Sequence, residues 1–173
     1  MNYKYILAID PSGAYHEGKG TTGWCILKRN KQPKIIETGA IPASQYRSAP
    51  QYWDAHIKLI EYIKQLSKGN FVVVMEDYIL YSNKAQSQSN SHMETCRLLG
   101  ILEHYCAMNQ ISYHFQLATF VVNRWSNDVL KFKGLIVKQG IGYRLPQKTF
   151  KLNRHMLDAI RHGVHFFTFG NGE

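Results

Sequence analysis

Tyr5-Ile6-Leu7-Ala8-Ile9-Asp10-Pro11-Ser12-Gly13 is an apolar run that stops at a single carboxylate and a turn. A stretch with so little polar interruption reads as a central strand buried on both faces, with Asp10 where that strand leaves the sheet. Pro11 and Gly13 break the strand and hold Asp10 at its mouth. Two readings of Asp10 follow. Either it opens a turn and nothing more, or it holds a metal ion to which the rest of the chain brings partners.

The totals narrow the field. A chain of 173 residues can bury a proper core, and residues 1–173 are read as a single domain. Apolar residues make up 45% and charged residues only 19%, a globular balance rather than a disordered one. The net charge of +9 points to an anionic partner, nucleic acid first and an acidic membrane surface second. No apolar run approaches the roughly 18 residues that span a bilayer, and Met1-Asn2-Tyr3-Lys4 has no signal-peptide pattern, so a soluble cytoplasmic protein is expected. Cys25, Cys96 and Cys106 are odd in number and form no Cys-x-x-Cys pair, which argues against a disulfide framework and a structural zinc site.

Only twelve residues are acidic, so their placement is informative. Most, such as Glu17, Glu37, Glu61 and Glu103, lie in polar surroundings. Asp10, Glu76 and Asp158 instead interrupt or end apolar patterns, where a carboxylate is costly unless something pairs with it.

In chain order, a glycine-rich connection (Gly18 to Gly23) leads into a second strand, Trp24 to Lys28, and a polar turn leads into a third, Lys34 to Ile41. The connections are too short for crossover helices, so the three strands form an antiparallel meander. The glycine loop matches neither phosphate-binding fingerprint and is read as turn chemistry. Pro50 to Ser67 has helical periodicity, closed by Lys68-Gly69-Asn70. Phe71-Val72-Val73-Val74-Met75 is a second doubly buried strand, and Glu76 ends it as Asp10 ends the first. The intervening helix implies a parallel crossover. If the two strands are neighbours, both carboxylates emerge at one edge, about 5 Å apart.

Asp77 to Ser91 is a long polar loop that opens with Tyr78 and Tyr81, each either a partly buried core tyrosine or a stacking platform for a base. A second helix runs from His92 to Asn109, with Gly100 inside it at a cost of about 1 kcal/mol, which suggests a close backbone approach such as a twin subunit would make. Ile111 to Leu117 reads as a fifth strand and Thr119 to Leu130 as a helix. Lys131 to Lys148 is basic, without an acidic residue, and forms a small hairpin around Gln139-Gly140. The last helix, Thr149 to Phe167, places His155 and Asp158 three residues apart on one face, a reasonable ligand pair, with His162 a turn beyond.

Ile9-Asp10-Pro11-Ser12-Gly13, Thr22-Gly23-Trp24, Val74-Met75-Glu76 and His155-Met156-Leu157-Asp158-Ala159, in that order, resemble RuvC-type Holliday junction resolvases of the RNase H-like superfamily, the short phage-encoded members above all. The resemblance spans nearly the whole chain. It implies an α/β fold, RNase H-like, with a five-stranded mixed sheet (antiparallel meander plus parallel strands) flanked by helices. It also implies a structure-selective endodeoxyribonuclease acting in DNA recombination, repair or phage DNA processing.

On that resemblance Asp10, Glu76, His155 and Asp158 are the catalytic and metal-site residues, with His155 where many members carry Asp and some carry His. They would hold Mg²⁺ or Mn²⁺, two ions about 3.5–4 Å apart, as phosphodiester hydrolysis by such pairs requires. Asp10 would bridge the ions, Glu76 and Asp158 would each hold one, and His155 would ligate or orient the attacking water. The expected partners are branched DNA such as four-way junctions, and a second copy in a C₂ homodimer. Expected DNA contacts are Tyr78, Tyr81, Lys84, Arg124, Lys131, Lys133, Lys138, Arg144 and Lys148. A broader fork- or flap-cutting nuclease and an inactive branched-DNA-binding relative remain as alternatives. Actin-like ATPases share the opening strand and turn, but they need two such domains.

Overall fold

The computed structural model of the protein describes residues 3–16, 18–79 and 93–170. Strands β1 (Tyr5–Asp10), β2 (Thr21–Lys28) and β3 (Lys34–Pro42) form the antiparallel meander. Helix α1 (Ala49–Ser67) then crosses over to β4 (Phe71–Glu76), which lies parallel to β1. Helix α2 (Glu94–Met108) crosses to β5 (Tyr113–Gln116), parallel to β4, and completes a sheet of order β3-β2-β1-β4-β5. Two short helices follow, α3 (Ala118–Arg124) and α4 (Asn127–Phe132), then a separate hairpin of β6 (Val137–Gln139) and β7 (Gly142–Arg144), and finally α5 (Arg154–Phe169). The expected fold class holds. No helix among the described residues is long and apolar enough to cross a membrane, and all three cysteines are free.

Strand alternation sorts the core into two layers. Leu7 and Ile9 of β1 and Phe71, Val73 and Met75 of β4 pack with Tyr52, Ile60 and Ile63 of α1 and Leu98 and Leu102 of α2. Ile6 of β1 and Val72 and Val74 of β4 face the other way, onto Met156, Ile160 and Val164 of α5. The continuous apolar runs of β1 and β4 are thus the mark of strands covered on both sides. Helix α1 starts where Ser48 caps it, accepting from the Gln51 amide, with Pro50 in the first turn.

Several boundaries differ from expectation. Strand β2 starts at Thr21 rather than Trp24, because Thr21, Thr22 and Gly23 pair with β3, and β5 is confined to Tyr113–Gln116. The helix read over Thr119 to Leu130 is two helices, broken at Trp125, whose buried indole and arginine-bound carbonyl end α3; Ser126 then caps α4 by accepting from the Val129 amide. The hairpin turns at Gly140-Ile141, one residue later than read, with Val137–Gln139 paired to Gly142–Arg144, while Leu135 and Ile136 enter the core. Helix α5 begins at Arg154 rather than Thr149: Leu152 bridges to Tyr143 of the hairpin (N to O, 2.8 Å), and Asn153 caps the helix through the Met156 amide. Among the described residues no backbone approaches Gly100: a Cβ built there meets nothing within 4 Å.

Candidate active site

The alternation that sorts the core also aims the carboxylates. Asp10 follows Ile6 and Ala8 on the α5 side of β1, and Glu76 follows Val72 and Val74 on the α5 side of β4. The parallel register pairs Ile9 with Met75, so the two carboxylates leave adjacent strands at the same end, about one strand spacing apart. Two glycines let α5 lie close over them. A Cβ on Gly23, the β2 residue paired with Asp10, would overlap the backbone of His155. A Cβ on Gly163 of α5 would overlap Leu27 and crowd Ala8.

Helix α5 answers with three polar residues on one stripe, His155, Asp158 and His162. His155 Nδ1–H donates to Asp10 Oδ2 at 2.7 Å. Asp10 is 8% exposed, and burial raises its carboxyl above the ordinary range; the hydrogen bond from His155 opposes that rise, while the charges of Glu76 and then Asp158 add to it. The same hydrogen bond raises the His155 imidazole, against its partial burial. His162 Nε2 meets Glu76 Oε2 at 2.9 Å, and its Nδ1 lies 3.0 Å from Gln116 Oε1 at the end of β5. Asp158 Oδ1 accepts from Arg161 Nη1, and Arg161 is fixed in turn by the Trp125 carbonyl (3.0 Å) and Asn127 Oδ1 (2.7 Å).

Strand ends and helix therefore bring Asp10, Glu76, His155 and Asp158 together, as their spacing suggested. Sequence reasoning did not find the partners. In the sequence His162 is only a turn beyond Asp158, although i+4 from a carboxylate on a packed stripe is a usable signal. Gln116 closes its strand as Glu76 closes the neighbouring one, and the two are paired in register. Arg161 gave no signal apart from its charge.

The donor chemistry fits a hard divalent cation: Asp10 and Asp158 are each 8% exposed, and Glu76 and Asp158 both lie within electrostatic reach of Asp10. Among the described residues, no three His, Cys, Asp or Glu side chains are already gathered as a cation cage. Each carboxylate is turned to its own base.

The expected DNA contacts are more dispersed. Tyr78 is half-buried against the core layer under α1 and α2, as its bland reading had it. Tyr81 and Lys84 lie outside the described residues. The Arg124 guanidinium stands 4.4 Å over the Phe169 ring, Lys133 stands 5.5 Å over Trp125, and Lys131 pairs with Asp128 at 3.0 Å. Arg144 donates to the carbonyls of Leu145, Pro146 and Lys148 and so pins the loop after the hairpin. Lys138 and Lys148 are exposed.

No protein-family model matches the sequence, and no curated protein matches it. Among solved structures the chain is similar to Thermus thermophilus RuvC in complex with a Holliday junction substrate, with a TM-score of 0.66 and 14% identity over 96% of this chain and 94% of that one. It is also similar to a second Thermus thermophilus RuvC structure, with a TM-score of 0.57 and 12% identity over 94% and 93%. At such identities the likeness is one of fold, and the chain has the five-stranded, helix-flanked RNase H-like fold of RuvC.

Proposed function

We propose that the protein is a metal-dependent, structure-selective endodeoxyribonuclease that cleaves Holliday junctions, and that residues 1–173 act as one nuclease domain in the cytoplasm. The observation that carries this reading is the convergence of Asp10, Glu76 and Asp158, from both ends of the chain, at one end of the sheet beside His155. Asp10, Glu76, Asp158 and His155 would hold Mg²⁺ or Mn²⁺, two ions per site. When bound, such ions neutralise charge on the attacked phosphate and acidify a water.

The chain's own residues supply the rest. His155, fixed against Asp10, keeps a donor nitrogen beside the central carboxylate and is placed to orient a water. The excess of 21 basic over 12 acidic residues draws in the DNA backbone without reading sequence, with Lys138 and Lys148 the exposed contacts in the hairpin region.

A homodimer would present two such sites to the two cut strands. An apolar groove lined by Trp53, Ile57, Gly100, Ile101 and Met108 supports it, since Gly100 leaves room there for a second helix. Gly100→Arg should then give a monomer in sedimentation.

One observation favours a second reading, a branched-DNA-binding protein without cleavage: every carboxylate already has a base of its own. A substrate panel separates the readings. Four-way junctions, Y-forks, flaps and linear duplex are incubated with Mg²⁺ or Mn²⁺, with binding measured in parallel. Symmetric cutting of the junction above all others is expected. Equal cutting of forks and flaps would make the protein a general branched-DNA nuclease, and binding without cutting would make it a binding protein.

A further inference from the structure

The buried histidines of this chain keep different company. His56 is bonded to a backbone carbonyl and a hydroxyl, and His165 to the Trp125 indole; both complete the core. His162, on the same helix as His165, is 0% exposed yet meets a carboxylate that is not buried: the Glu76 side chain is 25% exposed. The imidazole is held at both nitrogens, by the last residue of β4 and the last residue of β5, which are themselves paired in the sheet. Its neighbour Gly163 seats the helix directly on Ala8 and Leu27, so the ring has little room to shift. Among the described residues Glu76 Oε1 makes no hydrogen bond, so His162 engages one carboxylate oxygen from the buried side and leaves the other available.

We propose that His162 is a positioning residue for Glu76, and that the Gln116–His162–Glu76 relay orients this carboxylate toward a divalent cation. The inference rests on the reading of Asp10, Glu76 and Asp158 as a cation site. A buried imidazole needs partners wherever it sits, as His56 shows; what sets His162 apart is that one of its partners is a carboxylate that reaches solvent. A ligand carboxylate binds best when a hydrogen bond from behind has already fixed its rotamer, and losing such a partner typically costs 10–100-fold in metal affinity.

The test is Mn²⁺ binding by the metal-free protein, followed by electron paramagnetic resonance, in His162→Leu, His162→Gln, Gln116→Leu and Glu76→Gln, with melting curves for each. His162→Leu should weaken Mn²⁺ binding about 10–100-fold, and His162→Gln, whose amide nitrogen restores a donor near the position of Nε2, should recover most of that loss. Gln116→Leu should weaken it by a smaller factor. A core-filling role would lower the melting temperature of His162→Leu and leave the Mn²⁺ affinity of the folded protein unchanged. That result, with Glu76→Gln still weakening binding, overturns the proposal alone. If Glu76→Gln also binds Mn²⁺ like wild type, the cation-site reading falls and takes the proposal with it. Should His162→Leu fail to fold, wild-type affinity in Gln116→Leu, at a half-buried strand end, overturns the relay.

Discussion

The end of the sheet where Asp10 emerges carries two polar networks, one on each face, and they are built from opposite materials. On the α1 face the Tyr52 hydroxyl donates to the Ser12 carbonyl (2.6 Å) and the Ser12 amide to Thr22 Oγ1 (3.0 Å). His56 reaches Thr22 Oγ1 through Nε2 (2.8 Å) and the Tyr52 carbonyl through Nδ1 (2.7 Å). Thr22, Tyr52 and His56 are fully buried; burial holds His56 down at about 4, hence neutral, and pushes Tyr52 up to about 12. This network is uncharged and satisfied from within, and it braces the turn that follows Asp10. On the α5 face the network is built on charge-bearing groups, Asp10, Glu76 and Asp158 with His155, His162 and Arg161, with Gln116 and Asn127 behind them; Glu76 and Asp158 load Asp10 with charge, and His155 and Glu76 reach solvent. A protein gains nothing in stability from crowding buried carboxylates, which is why the charged face reads as the working one and the neutral face as its support.

Substitutions on the two faces should separate cleavage from stability. The largest effect belongs to Glu76→Gln, which should cut junction cleavage about a thousandfold, the several kcal/mol that cation charge stabilisation supplies, with the fold intact by circular dichroism. Arg161→Ala leaves the nearly buried Asp158 with only the solvent-exposed Arg154 nearby and should cost about 3–5 kcal/mol in denaturant unfolding, so the charged face also has one contact felt as stability.

The neutral face should reveal itself in acid. The unfolded chain protonates His56 near 6.5 and the folded chain only near 4, so the unfolded state gains protons first. Stability therefore falls as pH drops from 6.5 to 4, by about 3 kcal/mol in all, and is flat in this respect above 6.5. Asp10, whose carboxyl is raised, contributes with the opposite sign, so the window is read as wild type minus His56→Gln. Tyr52→Phe strands the Ser12 carbonyl and should cost about 1–3 kcal/mol while the folded protein still cleaves. If Tyr52→Phe instead abolished cleavage at unchanged stability, the division between brace and working face would be wrong. Arg154, with its side chain 89% exposed and 3.7 Å from Asp158, should be replaceable by Ala within about 0.5 kcal/mol.

Much of this was legible in the sequence because burial and strand period are local signals. Doubly buried strands announce themselves as unbroken apolar runs, and the carboxylates that end them stand out against such a background. The antiparallel meander and the parallel crossover to β4 followed from which connections were long enough to hold a helix, whereas the place of β5 beside β4 came only with the structure. What was not legible depends on contacts between distant segments. The break at Trp125 is set by Arg161, 36 residues away, and the late start of α5 by a bridge to Tyr143. The bases facing the carboxylates could be placed on a helix stripe but not matched to partners, since that depends on how deeply α5 settles. Gly23 and Gly163 set that depth, and from sequence Gly23 was read as turn chemistry and Gly163 gave no signal.

The central claim is that the carboxylates facing α5 form a cation-dependent cleavage centre, and Asp10→Asn tests it most directly. Asparagine keeps an oxygen for His155 and removes a charge that burial and two neighbouring carboxylates oppose, so the variant should melt at or above the wild-type temperature. Incubated with a four-way junction and Mg²⁺ or Mn²⁺, it should bind as wild type does and leave the strands uncut. A folded Asp10→Asn protein that cleaved the junction at the wild-type rate would contradict the account.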